Sequence, residues 1–217
     1  MSVHTAIAPR PLLRGYLHLI AAVVSPYALV YLVLASDSPR GVVGGALFGA
    51  SLVILYWTSA AYHLLPLGRR LRAVVRRVDH ANIFLFIVGA YAPFVLKLLN
   101  NPWGIPVLSV IGGMALVGLI VTLSAPSAPR WIRVGLYLGL GWIGIVTIFE
   151  LIDALPLRAF GLLVLSGVLF TTGGVMYAVR RPDPFPRVFG YHEMFHTLQT
   201  TATAVIYLVV VVYVLRY

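Results

Sequence analysis

The sequence contains no cysteine, a single lysine (Lys97) and only six acidic residues. Without cysteine there can be no disulfide, iron–sulfur cluster or thiolate metal site, so any bound metal must rely on histidine, aspartate, glutamate or water. Charge of either sign is scarce, at 10% of residues against 60% hydrophobic, and the mean hydropathy is +0.95. No water-soluble domain of 217 residues needs so much apolar surface, and long uncharged runs mark a polytopic membrane protein. The net charge of +10 would suit a nucleic-acid partner. Yet the arginines stand in short clusters between apolar runs and form no basic stripe on an amphipathic or aromatic-bearing domain. No nucleic acid is expected. The excess of arginine over lysine points to a GC-rich bacterial genome.

What is present is a series of apolar runs of membrane length. They predict an all-α membrane protein, one domain over residues 1–217, with seven transmembrane helices at about 16–35, 41–65, 78–96, 104–124, 131–149, 159–179 and 191–214. Arg10 and Arg14 before the first run imitate a signal peptide, but the run exceeds the ~7–15 residues of a signal core and six more follow, so it reads as a retained helix. Pro26 is expected to kink it. Gly41, Gly45 and Gly49 make a small-residue stripe that lets another helix approach. Gly68–Arg77 reads as an arginine-rich loop, and Arg180–Arg187 as a stiff proline-rich one. Twelve of the 16 basic residues lie at the N-terminus or after spans two, four and six. The positive-inside rule then puts the N-terminus in the cytoplasm and the C-terminus outside, in a bacterial plasma membrane.

The last run opens with His192-Glu193-Met194-Phe195-His196. Histidines at i and i+4 share a helix face, so both rings can reach one ion. The same letters spell H-E-x-x-H, the spacing of zinc peptidases. His63 at the end of span two, and Asp79 and His80 at the start of span three, fall at the same predicted depth, whereas Asp37, Glu150 and Asp153 lie at the other end. Ionisable groups in such a setting are costly and mark function. The chemistry suits zinc held by His63, His192 and His196, with a fourth position left for water. Asp79 is the carboxylate placed to hold or deprotonate that water, and Ser59, one turn before His63, to support it. Each has a plainer reading: Asp79 as a first-turn helix acid, Ser59 as a packing serine. His80 points about 100° away from Asp79 and reads as interfacial. His18 is near in depth and reads as packing or support; His4 lies in the N-terminal tail.

Ser59-Ala60-Ala61-Tyr62-His63, Asp79-His80-Ala81-Asn82-Ile83 and His192–His196 together resemble the three signatures of the hemolysin III family. That family is part of the progestin and adipoQ receptor superfamily, with alkaline ceramidases as remoter relatives. The resemblance runs from Arg14-Gly15 through Arg181-Pro182-Asp183-Pro184 to the last helix. It implies a seven-helix ring, zinc on the three histidines near the cytoplasmic face, and Asp79 touching the zinc-bound water with support from Ser59. The short N-terminal segment, and His80 where the receptor branch tends to have tyrosine, resemble the bacterial branch instead.

Three functions follow as expectations. The first is a zinc-dependent hydrolase of an amide or ester bond in a membrane lipid, with the acyl chain in the helical cavity. The second is a membrane-perturbing or pore-forming protein with a structural zinc, although spans four to seven offer almost no polar path beyond the histidine layer. The third is an intramembrane zinc peptidase with Glu193 as base. Substrate and oligomeric state are not legible from the sequence.

Overall fold

The computed structural model describes residues 11–99, 104–125 and 127–215; His4 lies outside them. The elements are α1 (Tyr16–Leu34), α2 (Pro39–Leu64), α3 (Arg69–Pro93), α4 (Gly104–Ser124), α5 (Arg130–Trp142), α6 (Ile148–Ala154), α7 (Leu157–Val179) and α8 (Tyr191–Val209). π-helical turns extend α3 to Leu98 and α8 to Val214. Six helices are long and apolar enough to cross a membrane: α1, α2, α3, α4, α7 and α8. Among the described residues there is no strand beyond one isolated bridge, Phe185 to Phe189. Neighbours in sequence pack on one another, α5 leans on α7, and α8 returns to α1, so the helices close a ring. Large apolar side chains such as Val23, Tyr27, Val117, Val164 and Val168 point outward, as they must where the solvent is hydrocarbon.

Two sequence expectations are corrected. The stretch read as an arginine-rich loop is helical: α3 begins at Arg69 rather than Val78. Arginine, leucine, alanine and valine contain no breaker, and long basic side chains reach back to the interface from a helical backbone. The expected continuous fifth span is also broken. It splits into the 13-residue α5, a five-residue 3₁₀ turn (Ile143–Thr147) and the seven-residue α6. The cause is Tyr91 of α3, whose hydroxyl donates to the Gly141 carbonyl and accepts from the Gly144 amide. An outside hydroxyl inserted into the i to i−4 ladder interrupts it. Only glycine tolerates this approach, since a Cβ on Gly144 would lie 2.8 Å from the phenol oxygen.

Two glycines of the α2 stripe meet another helix as read, while Gly41 lies against Ser36 and Ser38 of the α1–α2 connection. A Cβ on Gly49 would sit 2.6 Å from the Leu29 Cα, and one on Gly45 would be 3.0 Å from the Leu32 carbonyl oxygen, so α1 and α2 touch backbone to backbone. Within α1, Pro26 cannot bond the Ala22 carbonyl. The Ser25 hydroxyl does so instead, at 2.9 Å.

The ring has two chemically different ends. At one, Lys97 donates both to Asp37, in the α1–α2 connection, and to the Leu215 carbonyl at 2.7 Å. At the other meet the start of α1, the end of α2, the early part of α3 and the start of α8, with every described histidine.

Candidate metal centre

The approach of α1 to α2 at this end depends on Gly15. It has φ +91, a left-handed conformation, and its Cβ would fall 2.7 Å from the Cβ of His63. Only glycine can make that turn and that contact together. Pairing of Leu12 and Leu13 amides with the Arg187 and Val188 carbonyls fixes the lead-in to the α7–α8 connection. This brings the Arg14 guanidinium 2.7 Å from the Glu193 carboxylate.

Glu193 is 2% exposed. Its other oxygen accepts the Gly190 amide at 2.8 Å, while Asp183 accepts the Tyr191 amide at 3.1 Å. Both carboxylates satisfy amide donors that a helix start leaves open. The central residue of the H-E-x-x-H spacing is thus a helix cap and the partner of Arg14.

The first turns of α8 present His192 and His196 to the end of α2. The Nε2 atoms of His192 and His63 are 3.3 Å apart. One ligand nitrogen from each of His63, His192 and His196 lies within 4.8 Å of the others, a group able to hold a metal ion. The sequence placed these three at a common depth; the structure brings them to one point.

Behind them runs a buried polar chain. His196 Nδ1 lies 2.7 Å from His18 Nε2, and His18 Nδ1 lies 2.7 Å from the Ser59 hydroxyl. Ser59 and Asp79 both face the apolar cavity beside it. His18 is 2% exposed and links one histidine of the cluster to Ser59. Sequence reading gave His18 only a packing or supporting part. Its signal was its depth in α1, which no local motif reinforced.

His80 faces elsewhere. Its Nδ1–H donates to the Arg76 carbonyl at 2.6 Å, leaving Nε2 to accept from the Tyr177 hydroxyl at 3.2 Å. It is turned toward α7 and part-buried. Tyr177 of α7 carried no sequence signal.

Two cavities flank the cluster. An apolar one of about 310 Å³ starts at His18, Ser59, Asp79 and His192 and reaches Leu99 and Leu151 at the far end. From His80 to Val95 along α3 it covers about 22 Å at ~1.5 Å per residue, most of a ~30 Å hydrocarbon core. The second, of about 200 Å³, opens on the other side of the histidines and is lined by arginine and tyrosine.

Comparison with known proteins agrees with this architecture. A family described as Haemolysin-III related matches residues 7–207, which include every residue of the cluster. The Hemolysin-3 homolog of Bacillus subtilis (strain 168) is 26% identical over 202 residues, covering 92% of either chain. Hemolysin-3 of Bacillus cereus is 28% identical over 222 residues, covering 99% of this chain and 96% of that one. The Adiponectin receptor protein of Drosophila melanogaster is 27% identical over 187 residues, 76% of this chain and 41% of the receptor. With the family match spanning almost the whole sequence, this multi-span helical membrane protein belongs to the haemolysin-III related family.

Proposed function

We propose that the protein is a zinc-dependent hydrolase of an amide or ester bond in a membrane lipid, acting at the cytoplasmic side. The observation that carries this reading is the meeting of a metal-competent histidine cluster, a part-buried carboxylate and an apolar cavity of acyl-chain length. The donor set fits zinc. Imidazole nitrogens ~2.0–2.1 Å from a tetrahedral ion stand about 3.3–3.4 Å from each other, and the His63–His192 separation is 3.3 Å. Bound there, zinc would supply Lewis acidity toward water and a substrate carbonyl.

The protein's own groups do the remainder. Asp79 takes the proton from the attacking water as the new bond to the carbonyl carbon forms. It returns that proton to the leaving nitrogen or oxygen as the old bond breaks. His18 fixes the Ser59 hydroxyl by a hydrogen bond, and both share the wall of the apolar cavity with the carboxylate they support. Glu193 serves poorly as a peptidase base because Arg14 and the Gly190 amide already occupy its oxygens. A pore is disfavoured because the cavity past the histidines is walled by apolar side chains such as Ile87, Phe94 and Leu163. The broken α5–α6 segment is read as a seventh crossing, which with the basic residues gathered at the histidine end gives a cytoplasmic N-terminus and an external C-terminus.

The test is metal analysis followed by product analysis on a lipid panel, with and without chelator. The purified protein should carry one zinc per chain, lost in His63→Ala, His192→Ala and His196→Ala. Asp79→Asn should keep the zinc and lose hydrolysis, since asparagine cannot accept the proton. Glu193→Gln should keep both. Full zinc retention in all three histidine variants would end the site as drawn. An active Asp79→Asn beside an inactive Glu193→Gln would move the protein to the zinc-peptidase class.

A further inference from the structure

The second cavity is more than a polar entrance. Six arginines line it: Arg14 ahead of α1, Arg72, Arg76 and Arg77 from α3, and Arg130 and Arg133 from α5. Three histidines share the wall and, among the described residues, no aspartate or glutamate lines it, although Arg14 is already paired with Glu193 behind it. Several of these cations are held in place. Arg72 lies over the Tyr62 ring at 5.9 Å and donates to the Leu65 carbonyl at 3.3 Å. Arg130 lies over the Tyr177 ring at 5.2 Å and donates to the Tyr191 hydroxyl at 3.3 Å. Aromatic faces restrain a guanidinium without neutralising it.

Like charges converging from separate helices on about 200 Å³ repel one another, and a concave wall of one sign focuses the field on an ion of the other. The volume is several times the ~30 Å³ share of one water. Guanidinium forks match the oxygens of phosphate in bidentate fashion. His80, Tyr177 and His192 line both this cavity and the apolar one, so the two meet at the metal centre.

We infer that the ligand of this site is a lipid with a net-negative, phosphate-bearing head group. The head is held by the arginine cavity, the acyl chain by the apolar cavity, and the bond joining them lies at the histidine cluster. This rests on the proposed lipid-hydrolase reading and narrows its substrate class. A neutral lipid would bring no negative charge to the arginine wall. A free phosphate would leave the apolar cavity without its chain.

The experiment uses the full-length protein in a non-ionic detergent, in the Asp79→Asn background so that the probe is not consumed. Ligand-dependent melting gives apparent affinities for dioctanoyl phosphatidic acid, dioctanoyl phosphatidylcholine and inorganic phosphate. Phosphatidic acid should bind at least about tenfold more tightly than either of the others. Arg76→Gln/Arg77→Gln should remove most of that preference, and Arg76→Lys/Arg77→Lys should restore part of it. Arg69→Gln/Arg70→Gln subtracts the same charge from the same helix outside the cavity and should change affinity less than about twofold, which separates a built site from bulk attraction to basic residues. Equal binding of phosphatidic acid and phosphatidylcholine would overturn the inference, as would equal losses in the two double variants. Inorganic phosphate matching phosphatidic acid would overturn the lipid half. Phosphatidic acid bound selectively but never cleaved by the wild type would support this inference while removing the hydrolase reading.

Discussion

Removal of His18 tests the polar chain behind the metal centre. If His196 gives its Nε2 to the ion, its Nδ1 carries the proton and donates to His18 Nε2 at 2.7 Å. His18 then carries its proton on Nδ1 and donates to Ser59, also at 2.7 Å, which leaves the serine hydrogen to turn toward the cavity it shares with Asp79. One tautomer choice therefore fixes the donor direction from the cluster to Ser59. In His18→Ala the Nδ1–H of buried His196 loses its acceptor, at a cost of about 1–3 kcal/mol. Partners that orient a metal-binding histidine are typically worth ~10–100-fold in metal affinity, or about 1.4–2.7 kcal/mol. Zinc affinity, read by competition with a chromophoric chelator in detergent, should fall within that range. Glutamine reaches the position of Nε2 and asparagine that of Nδ1. His18→Gln should thus recover most of the affinity, whereas His18→Asn should resemble His18→Ala. An alanine variant that binds zinc as tightly as wild type would refute the argument, and so would asparagine rescuing better than glutamine.

Two further outcomes concern the ring itself. Gly49→Ala forces a methyl to 2.6 Å from the Leu29 Cα, so α1 must shift, and overpacking of this kind costs about 1–3 kcal/mol. Its melting temperature should drop, while Gly112→Ala, where a Cβ meets nothing within 4 Å, should leave it unchanged; equal melting of the pair would refute the contact. At the opposite end, the Lys97 ammonium holds the Asp37 carboxyl below its ordinary 3.8. A lowered folded value means the contact contributes fully above the ordinary value and is lost as pH falls through the folded one. The melting gap between wild type and Asp37→Asn should therefore hold steady above pH ~5 and close on acidification. A gap that persists at low pH would count against it.

The parts of this fold set by one-dimensional pattern were legible. Apolar runs of membrane length marked the spans, and the small-residue stripe marked a face of α2 that another helix approaches. The three histidines were found because the i, i+4 spacing and a shared depth are both sequence properties. What escaped depended on a partner from elsewhere in the chain. Nothing within residues 131–149 reveals that Tyr91 of α3 will break the helix. Glu193 looks like a catalytic base until Arg14, 179 positions away, is seen on its carboxylate. His18 has no motif of its own, and its importance comes from Ser59 and His196. The arginines were read as a topology signal, and only their convergence from three segments makes a cavity of them.

The pairing of first helix with last has a consequence for assembly. His18 and Arg14 belong to the beginning of the chain, His192, Glu193 and His196 to its final helix, and each end supplies the contacts the other needs. During synthesis the N-terminal segments enter the bilayer first. Helices α1, α2 and α3 can dock early, carrying His18, Ser59, His63 and Asp79 as a half-built polar face. That face stays unpartnered in the membrane until α8 arrives, and an unsatisfied polar group there is expensive. Completion of the metal centre and closure of the ring are then the same event. An ion held by the three histidines would latch that last step of biogenesis, and a chain halted after α7 lacks two of the three.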